Sequence, residues 1–274
     1  MPELPEVETV RKALKNKVLN KKIKEVRVFY PKIVEYPSVK EFIDTLKDKE
    51  IVDITRYGKW LIFDLGDYSL LSHLRMEGKY LYREKDDPVL KHQHVSIVFE
   101  DGFDLRYQDV RKFGKMFLVK KDELYTKTPL AKLGLEPWDK KLDSKYLLAK
   151  YKNKKLPIKT VILDQSIITG IGNIYADEIL FLSGINPHRE ASKITSKECE
   201  SIIENTKKVL EGAIEKGGTT IRSYTSEEGV TGLFQNDLLV HKRENEECYN
   251  CKTLIKRDKI NGRSSYYCPK CQIK

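Results

Sequence analysis

Four cysteines crowd the last 27 residues of this 274-residue chain, as Cys248-Tyr-Asn-Cys251 and Cys268-Pro-Lys-Cys271, and no other feature restricts the fold as strongly. A C-x2-C pair, sixteen intervening residues and a second C-x2-C pair let two knuckles of a β-hairpin bring four thiolates to one ion. Zinc favours that tetrahedral sulfur set. The spacing therefore predicts a zinc ribbon, folded by one structural Zn2+, with ligands Cys248, Cys251, Cys268 and Cys271. Such an ion stabilises a tail too small for a core of its own, and the ribbon would present the basic stretch 252–263 to a partner. Cys199 stands alone in a predicted helix, where it reads as a small buried hydrophobe.

The rest of the chain is long enough for two larger domains, each with its own core. Lysine and arginine exceed aspartate and glutamate, 51 to 41, for a formal net charge of +10. That excess favours a polyanionic partner, although many of the lysines coat solvated faces. No apolar run reaches the length of a membrane span, and the N-terminus lacks the apolar centre of a secretion signal. The expectation is a soluble intracellular protein with no membrane partner.

Residues 3–18 read as a helix. From residue 23 to 119 the chain alternates in short β-rich runs at 51–56, 60–65, 69–73, 95–99, 104–107 and 115–119, broken by Gly, Asp and Pro, with a helical insertion at Val39–Leu46. This pattern predicts a mostly antiparallel sandwich or barrel with flanking helices. Past Gly134 the apolar period becomes helical, notably at 174–182 and 196–216, and the Lys- and Pro-bearing segment 129–142 reads as a linker. The fold class is α+β multidomain, with boundaries at 1–134, 135–234 and 235–274.

Four further constellations carry chemistry. The chain opens Met1-Pro2-Glu3-Leu4-Pro5-Glu6. With Met1 removed it would begin with a secondary amine, and an α-amine titrates near ~8, so part of it is unprotonated at neutral pH. The same residues also suit an ordinary helix start. Gly170-Ile-Gly-Asn173 between two helical segments could grip a phosphate through helix N–H groups and the Asn173 side chain, or be an interhelical turn. His92-Gln-His94 accompanies Asp109-Val-Arg111-Lys-Phe113-Gly114 and His73-Leu-Arg-Met76; there Met76 and Phe113 are either wedges for a base stack or core residues, and Arg111 is a donor for a base edge. Finally, Tyr57-Gly-Lys59-Trp60 puts Lys59 in a turn between two strands. It gains interest if it faces the N-terminal amine, where like charges lower both pKa values.

In this order, along essentially the whole chain, these residues resemble the bacterial formamidopyrimidine-DNA glycosylase family. The resemblance implies an N-terminal antiparallel β-sandwich with flanking helices, a helix-two-turn-helix domain and a C-terminal zinc ribbon. It also implies a bifunctional DNA glycosylase and abasic-site lyase of base excision repair, removing oxidised purines (8-oxoguanine, formamidopyrimidines) from duplex DNA by β,δ-elimination. Pro2 would attack C1′ to give a Schiff base, Glu3 would act as acid and base at the sugar, Lys59 would assist the first elimination and Arg263 the second. An iminium acidifies the neighbouring C2′ hydrogen, so the eliminations need no further cofactor.

The resemblance further assigns DNA contacts to His92, Arg111, Lys155, Asn173 and Lys159. Met76, Arg111 and Phe113 would fill the gap left by an extruded nucleotide, and residues 219–224 would close over the lesion. It implies a monomer in the bacterial cytoplasm, associated with the nucleoid. Two sites depart from the usual pattern: Val110 and Lys112 stand where Pro and Arg are common, and Arg75 where Gly is frequent. An endonuclease VIII-like enzyme for oxidised pyrimidines is the nearest alternative, disfavoured because that branch usually has Gly after the Glu3 position. A non-catalytic zinc-ribbon DNA-binding protein would leave Pro2, Glu3 and Lys59 without a common purpose.

Overall fold

The computed structural model describes residues 1–219 and 232–273, so residues 220–224 of the expected lesion-closing loop lie outside the described residues. Two compact units emerge. One comprises Met1–Ala131 with Thr219, and the other residues 132–218 with those from Leu233 onward.

In the first unit, helix α1 (Leu4–Val18) has Val7, Val10, Leu14 and Val18 on one buried stripe, the spacing that gives a helix one apolar face. Its start is fixed at Glu3, whose backbone N–H donates to Glu6 Oε2 at 2.8 Å, and Pro5 suits the first turn. The strands follow as β1 (Ile23–Val28), β2 (Val34–Tyr36), β3 (Asp53–Tyr57), β4 (Trp60–Asp64), β5 (Tyr68–His73), β6 (Lys79–Glu84), β7 (Gln93–Phe99), β8 (Phe103–Gln108) and β9 (Lys115–Lys120), with helix α2 (Val39–Leu46) after β2. They form one sheet in the order β1-β7-β8-β6 and another in the order β2-β9-β5-β4-β3.

Inward residues of both sheets, among them Leu61, Phe63, Leu70, Ile97, Leu105 and Leu118, share one core with the apolar stripe of α1 and with Phe42 and Leu46 of α2. Burying each such side chain is worth roughly 1.5–3 kcal/mol. The pairing departs from antiparallel once, where β2 runs parallel to β9. Strands β1, β2 and β6 lie outside the runs named from the sequence; β6 buries Tyr80 and Leu81 and then gives way to exposed, charged Arg83 and Glu84.

The second unit holds α3 (Ser144–Tyr151), α4 (Ile158–Ile162), α5 (Asn173–Leu182), α6 (Ser196–Glu215) and the hairpin β10 (Lys256–Ile260) and β11 (Arg263–Tyr267). Capping by Asp143 before α3 and by Thr195 before α6 sets two of the helix starts. The ribbon has no separate interior: Phe181 of α5 packs with Val240, Cys248, Ile255 and Cys268. Residues 129–142 are not a loose linker, since Leu130 and Leu142 are buried and Gly134 donates to the Gln165 carbonyl at 2.8 Å.

Candidate active site

In the first unit, Met1 is 41% exposed whereas Glu3 is 3% exposed, and Pro2 between them is buried. Glu6 organises this opening. Its Oε2 accepts the Glu3 N–H, and its Oε1 accepts the Thr219 N–H at 2.9 Å, so one buried carboxylate ties the chain start to Thr219. With Met1 present the Pro2 nitrogen is an amide. Its removal leaves a secondary amine next to the Glu3 carboxylate.

Lys59 follows Gly58 in the two-residue turn that pairs Tyr57 with Trp60. The turn does not project it into solvent, because Lys59 is 6% exposed. Its charge reaches His73, the last residue of β5. There burial, joined by the positive charges of Arg75 and Lys59, lowers the imidazole pKa to about 3. His73 Nδ1 accepts the Arg75 N–H at 2.9 Å and its ring lies edge-on to Trp60 at 4.7 Å, which leaves the proton of the neutral ring on Nε2. Arg75 itself sits at φ +54°, a conformation that glycine adopts with less strain.

A neutral buried histidine has a definite pH signature. In the unfolded chain it titrates near ~6.5, so between about pH 6.5 and about 3 the unfolded chain binds the extra proton. The stabilisation is complete above pH 6.5 and is lost as pH falls, by at most about 1.4 kcal/mol per pH unit. Urea unfolding of the wild type and of His73→Gln should give a stability difference that shrinks by about 2 kcal/mol from pH 6.5 to pH 4.5. A difference independent of pH would contradict the neutral ring.

The expected wedge residues come together. Arg111 Nη1 lies 2.9 Å from Met76 Sδ and the guanidinium covers the Phe113 ring at 4.6 Å, while Met76 and Phe113 remain 38% and 46% exposed. They are surface groups, not core. Asp109 builds the loop beneath them: Oδ1 accepts the Arg111 N–H at 3.0 Å, and Oδ2 accepts those of Phe113 and Gly114 at 2.9 and 2.8 Å. His94 Nε2 donates to the Asp109 carbonyl at 2.7 Å. A β-carbon at Gly114 would overlap the Tyr107 hydroxyl, so the loop closes against that ring only with glycine there. His92 stands half-buried at φ +64° beside this loop, its carbonyl accepting the Asp109 N–H at 3.0 Å.

Asp109→Ala removes the acceptor of three backbone N–H groups at once, and each orphaned donor costs about 1–3 kcal/mol. Excision of a damaged base from duplex should fall at least roughly tenfold, while affinity for undamaged duplex, which depends mainly on phosphate contacts, should change less than about threefold. Single-turnover kinetics beside gel-shift titration would check this, and equal losses in both would point away from the loop.

In the second unit, Lys155 is exposed in the loop before α4. Lys159 is not. Its side chain is 1% exposed, paired with Asp177 Oδ1 and donating to the Asn173 carbonyl at 3.0 Å. Enclosed in this way, the ammonium supports the start of α5 rather than standing free on the surface. His241 Nδ1 hydrogen-bonds the other Asp177 oxygen at 2.6 Å. Neighbouring Glu178 accepts the N–H groups of Leu239, Val240 and His241 at 2.7, 3.0 and 2.8 Å, and burial, opposed by these bonds, raises its pKa.

Gly172 precedes α5 and supplies no side-chain cap. Gln165 holds the preceding turn, accepting the Gly170 N–H at 2.9 Å and donating to the Ile171 carbonyl at 2.8 Å. Asn173 commits an amide N–H to the Ser264 carbonyl at 2.9 Å; its Oδ1 is buried without a partner. Arg263 is exposed at the start of β11.

The cysteine sulfurs of Cys248, Cys251, Cys268 and Cys271 all lie within 4.8 Å of one another. Two of the separations are 3.8 Å (Cys248 to Cys271) and 3.5 Å (Cys251 to Cys268). Thiolates at ~2.3 Å from a tetrahedral zinc stand about 3.8 Å apart, so the four residues fit one structural Zn2+. The sequence offered no direct signal for Gln165, and the partners of Glu6, His73 and Asp177 are brought in only by the fold.

Comparison with known proteins agrees with this geometry. Residues 1–116 match the formamidopyrimidine-DNA glycosylase N-terminal domain, residues 133–225 the formamidopyrimidine-DNA glycosylase H2TH domain, and residues 245–273 a zinc finger found in FPG and IleRS. The formamidopyrimidine-DNA glycosylase of Bacillus cereus is 47% identical over 273 residues, covering 99% of each chain, and that of Shouchella clausii 46% identical over the same length. Among solved structures, Lactococcus lactis Fpg in complex with DNA containing an abasic site aligns with TM-score 0.92 at 37% identity, covering 99% of this chain and 100% of that one. MutM in complex with DNA containing carbocyclic 8-oxo-G aligns with TM-score 0.92 at 38% identity over all of both chains. With three consecutive domain models and end-to-end relatives at nearly half identity, the chain belongs to the formamidopyrimidine-DNA glycosylase family.

Proposed function

We propose that this protein excises oxidised purines, 8-oxoguanine and formamidopyrimidines, from duplex DNA and then cleaves the strand at the abasic site, as a step of base excision repair. The observation that carries the reading is the preassembled group of Met76, Arg111 and Phe113, all exposed, with Arg111 in contact with both of the others. A surface arginine over an aromatic ring beside a methionine suits insertion into a duplex, where a nucleotide has left the stack and its partner base needs a donor. Relatives solved with abasic, Fapy-dG and 8-oxo-G DNA support the same substrate class.

The chemistry follows from the residues. The Pro2 amine, freed from Met1, attacks C1′; the base departs with the C1′–N electron pair, and a Schiff base remains. Glu3 exchanges protons with the opening sugar. The iminium draws electrons from C2′, so loss of a C2′ proton expels the 3′ phosphate, with Lys59 as proton donor. Arg263 neutralises the second phosphate as it leaves. His92, Arg111, Lys155 and Asn173 contact the DNA, and zinc holds the ribbon that carries Arg263. The protein works as a monomer on nucleoid DNA in the bacterial cytoplasm.

Cleavage of an 8-oxoguanine duplex compared with a thymine-glycol duplex tests the substrate class, with faster cleavage of 8-oxoguanine expected. A preference for thymine glycol would favour the oxidised-pyrimidine activity. Tight, salt-dependent binding without cleavage of either would favour a non-catalytic DNA-binding protein.

A further inference from the structure

The tip of the zinc hairpin is an Asn-Gly turn. Ile260 pairs with Arg263, so the turn is Asn261-Gly262, at φ +45° and +77°, the mirror-image turn that suits the twist of a tight hairpin. Asn261, Gly262 and Arg263 are all exposed. A two-stranded ribbon gives such a tip little rigidity of its own, so the position of a long arginine there depends on what fastens the tip to the rest of the unit.

Among the described residues, two side-chain bonds flank Arg263 and hold the tip, one on each side of it. Asn261 Nδ2 donates to Thr160 Oγ1 of α4 at 2.9 Å. Asn173 Nδ2, from the first turn of α5, donates to the Ser264 carbonyl at 2.9 Å. Residue 261 thus meets two demands: asparagine tolerates positive φ better than other side chains, and its amide reaches Thr160. Glycine would satisfy the turn alone. Threonine 160 meets only one, an acceptor at the right height on α4.

We propose that Thr160 and Asn261 are positioning residues that hold Arg263 for the second elimination, and so set how many cleaved strands end in a 3′ phosphate. The proposal rests on the role given to Arg263 above. In that step a proton leaves C4′ for the Glu3 carboxylate, the electron pair moves through the conjugated iminium, and the C5′–O bond breaks with its pair on the departing phosphate. A guanidinium held against that phosphate offsets the charge; one that wanders does so for a fraction of the time. The first elimination and base release do not use Arg263 and should not respond.

The experiment is a sequencing-gel assay on an 8-oxoguanine duplex that separates 3′-phosphate ends from 3′-unsaturated-aldehyde ends, with base release measured alongside. Losing one partly exposed neutral hydrogen bond should raise the aldehyde-to-phosphate ratio roughly three- to tenfold in Thr160→Val and in Asn261→Gly, with base release within about twofold of wild type. Thr160→Ser should restore the wild-type ratio, and the double variant Thr160→Val/Asn261→Gly should match either single one. Arg263→Ala tests the underlying reading and should lose the 3′-phosphate ends. Wild-type ratios in Thr160→Val and Asn261→Gly with loss in Arg263→Ala would overturn the latch alone. Wild-type ratios in all three would overturn the role of Arg263, and a parallel fall in base release would show a general effect and overturn the latch.

Discussion

Protein that retains Met1 is expected to form no borohydride-trapped adduct with lesion DNA and to release 8-oxoguanine roughly a thousandfold more slowly than protein beginning at Pro2. The reason lies in one nitrogen. As an amide its lone pair is delocalised into the carbonyl; as a terminal secondary amine it titrates near ~8 and is partly unprotonated at pH 7. The surroundings are ready for the change, since Met1 is 41% exposed and accessible to removal, whereas Glu3 is 3% exposed and held through its N–H by Glu6. Preparations differing only in N-terminal processing, verified by intact mass, allow a direct comparison. Equal excision by both would remove Pro2 from the mechanism.

Cys268→Ser should have an effect of similar size by a different route. Cys268 is fully buried in the small cluster that also holds Phe181, Val240, Cys248 and Ile255, too few apolar groups to hold a ribbon without the ion. Structural zinc in such modules contributes an apparent ~10–16 kcal/mol of folding free energy. Without it the hairpin that carries Asn261, Arg263 and Ser264 unravels, and lesion-duplex affinity should fall at least about a hundredfold. Zinc content and gel-shift titration would read both consequences. The core of the first unit, which shares none of these residues, should keep its β-sheet circular dichroism. A zinc-free variant that binds lesion duplex normally would contradict this account of the ribbon.

Much of this site was legible because its residues announce themselves locally. The cysteine spacing, the Pro2-Glu3 opening and the Asp109–Gly114 run need no knowledge of distant partners, and helix α2 was bounded correctly by its apolar period. What escaped depends on long-range pairing. The resemblance assigns Lys159 a DNA contact, and only the arrival of Asp177, eighteen positions on, accounts for its burial, since a buried charge needs a partner. Arg106 read as part of a strand, yet its guanidinium binds Asp104 and the carbonyls of Glu84, Asp87 and Pro88, bracing the loop that leads to His92. Lys59 illustrates both sides: the turn was foreseen, but the inward direction of its side chain was not, because a two-residue turn fixes the backbone and packing decides where the side chain points.

The most direct test of the account is the location of the covalent link. Borohydride-trapped adduct of Met1-processed protein with an 8-oxoguanine duplex, digested and mapped by mass spectrometry, should carry the sugar remnant on the peptide that begins at Pro2, at its terminal nitrogen. A remnant on Lys59, or on any other lysine, would contradict it.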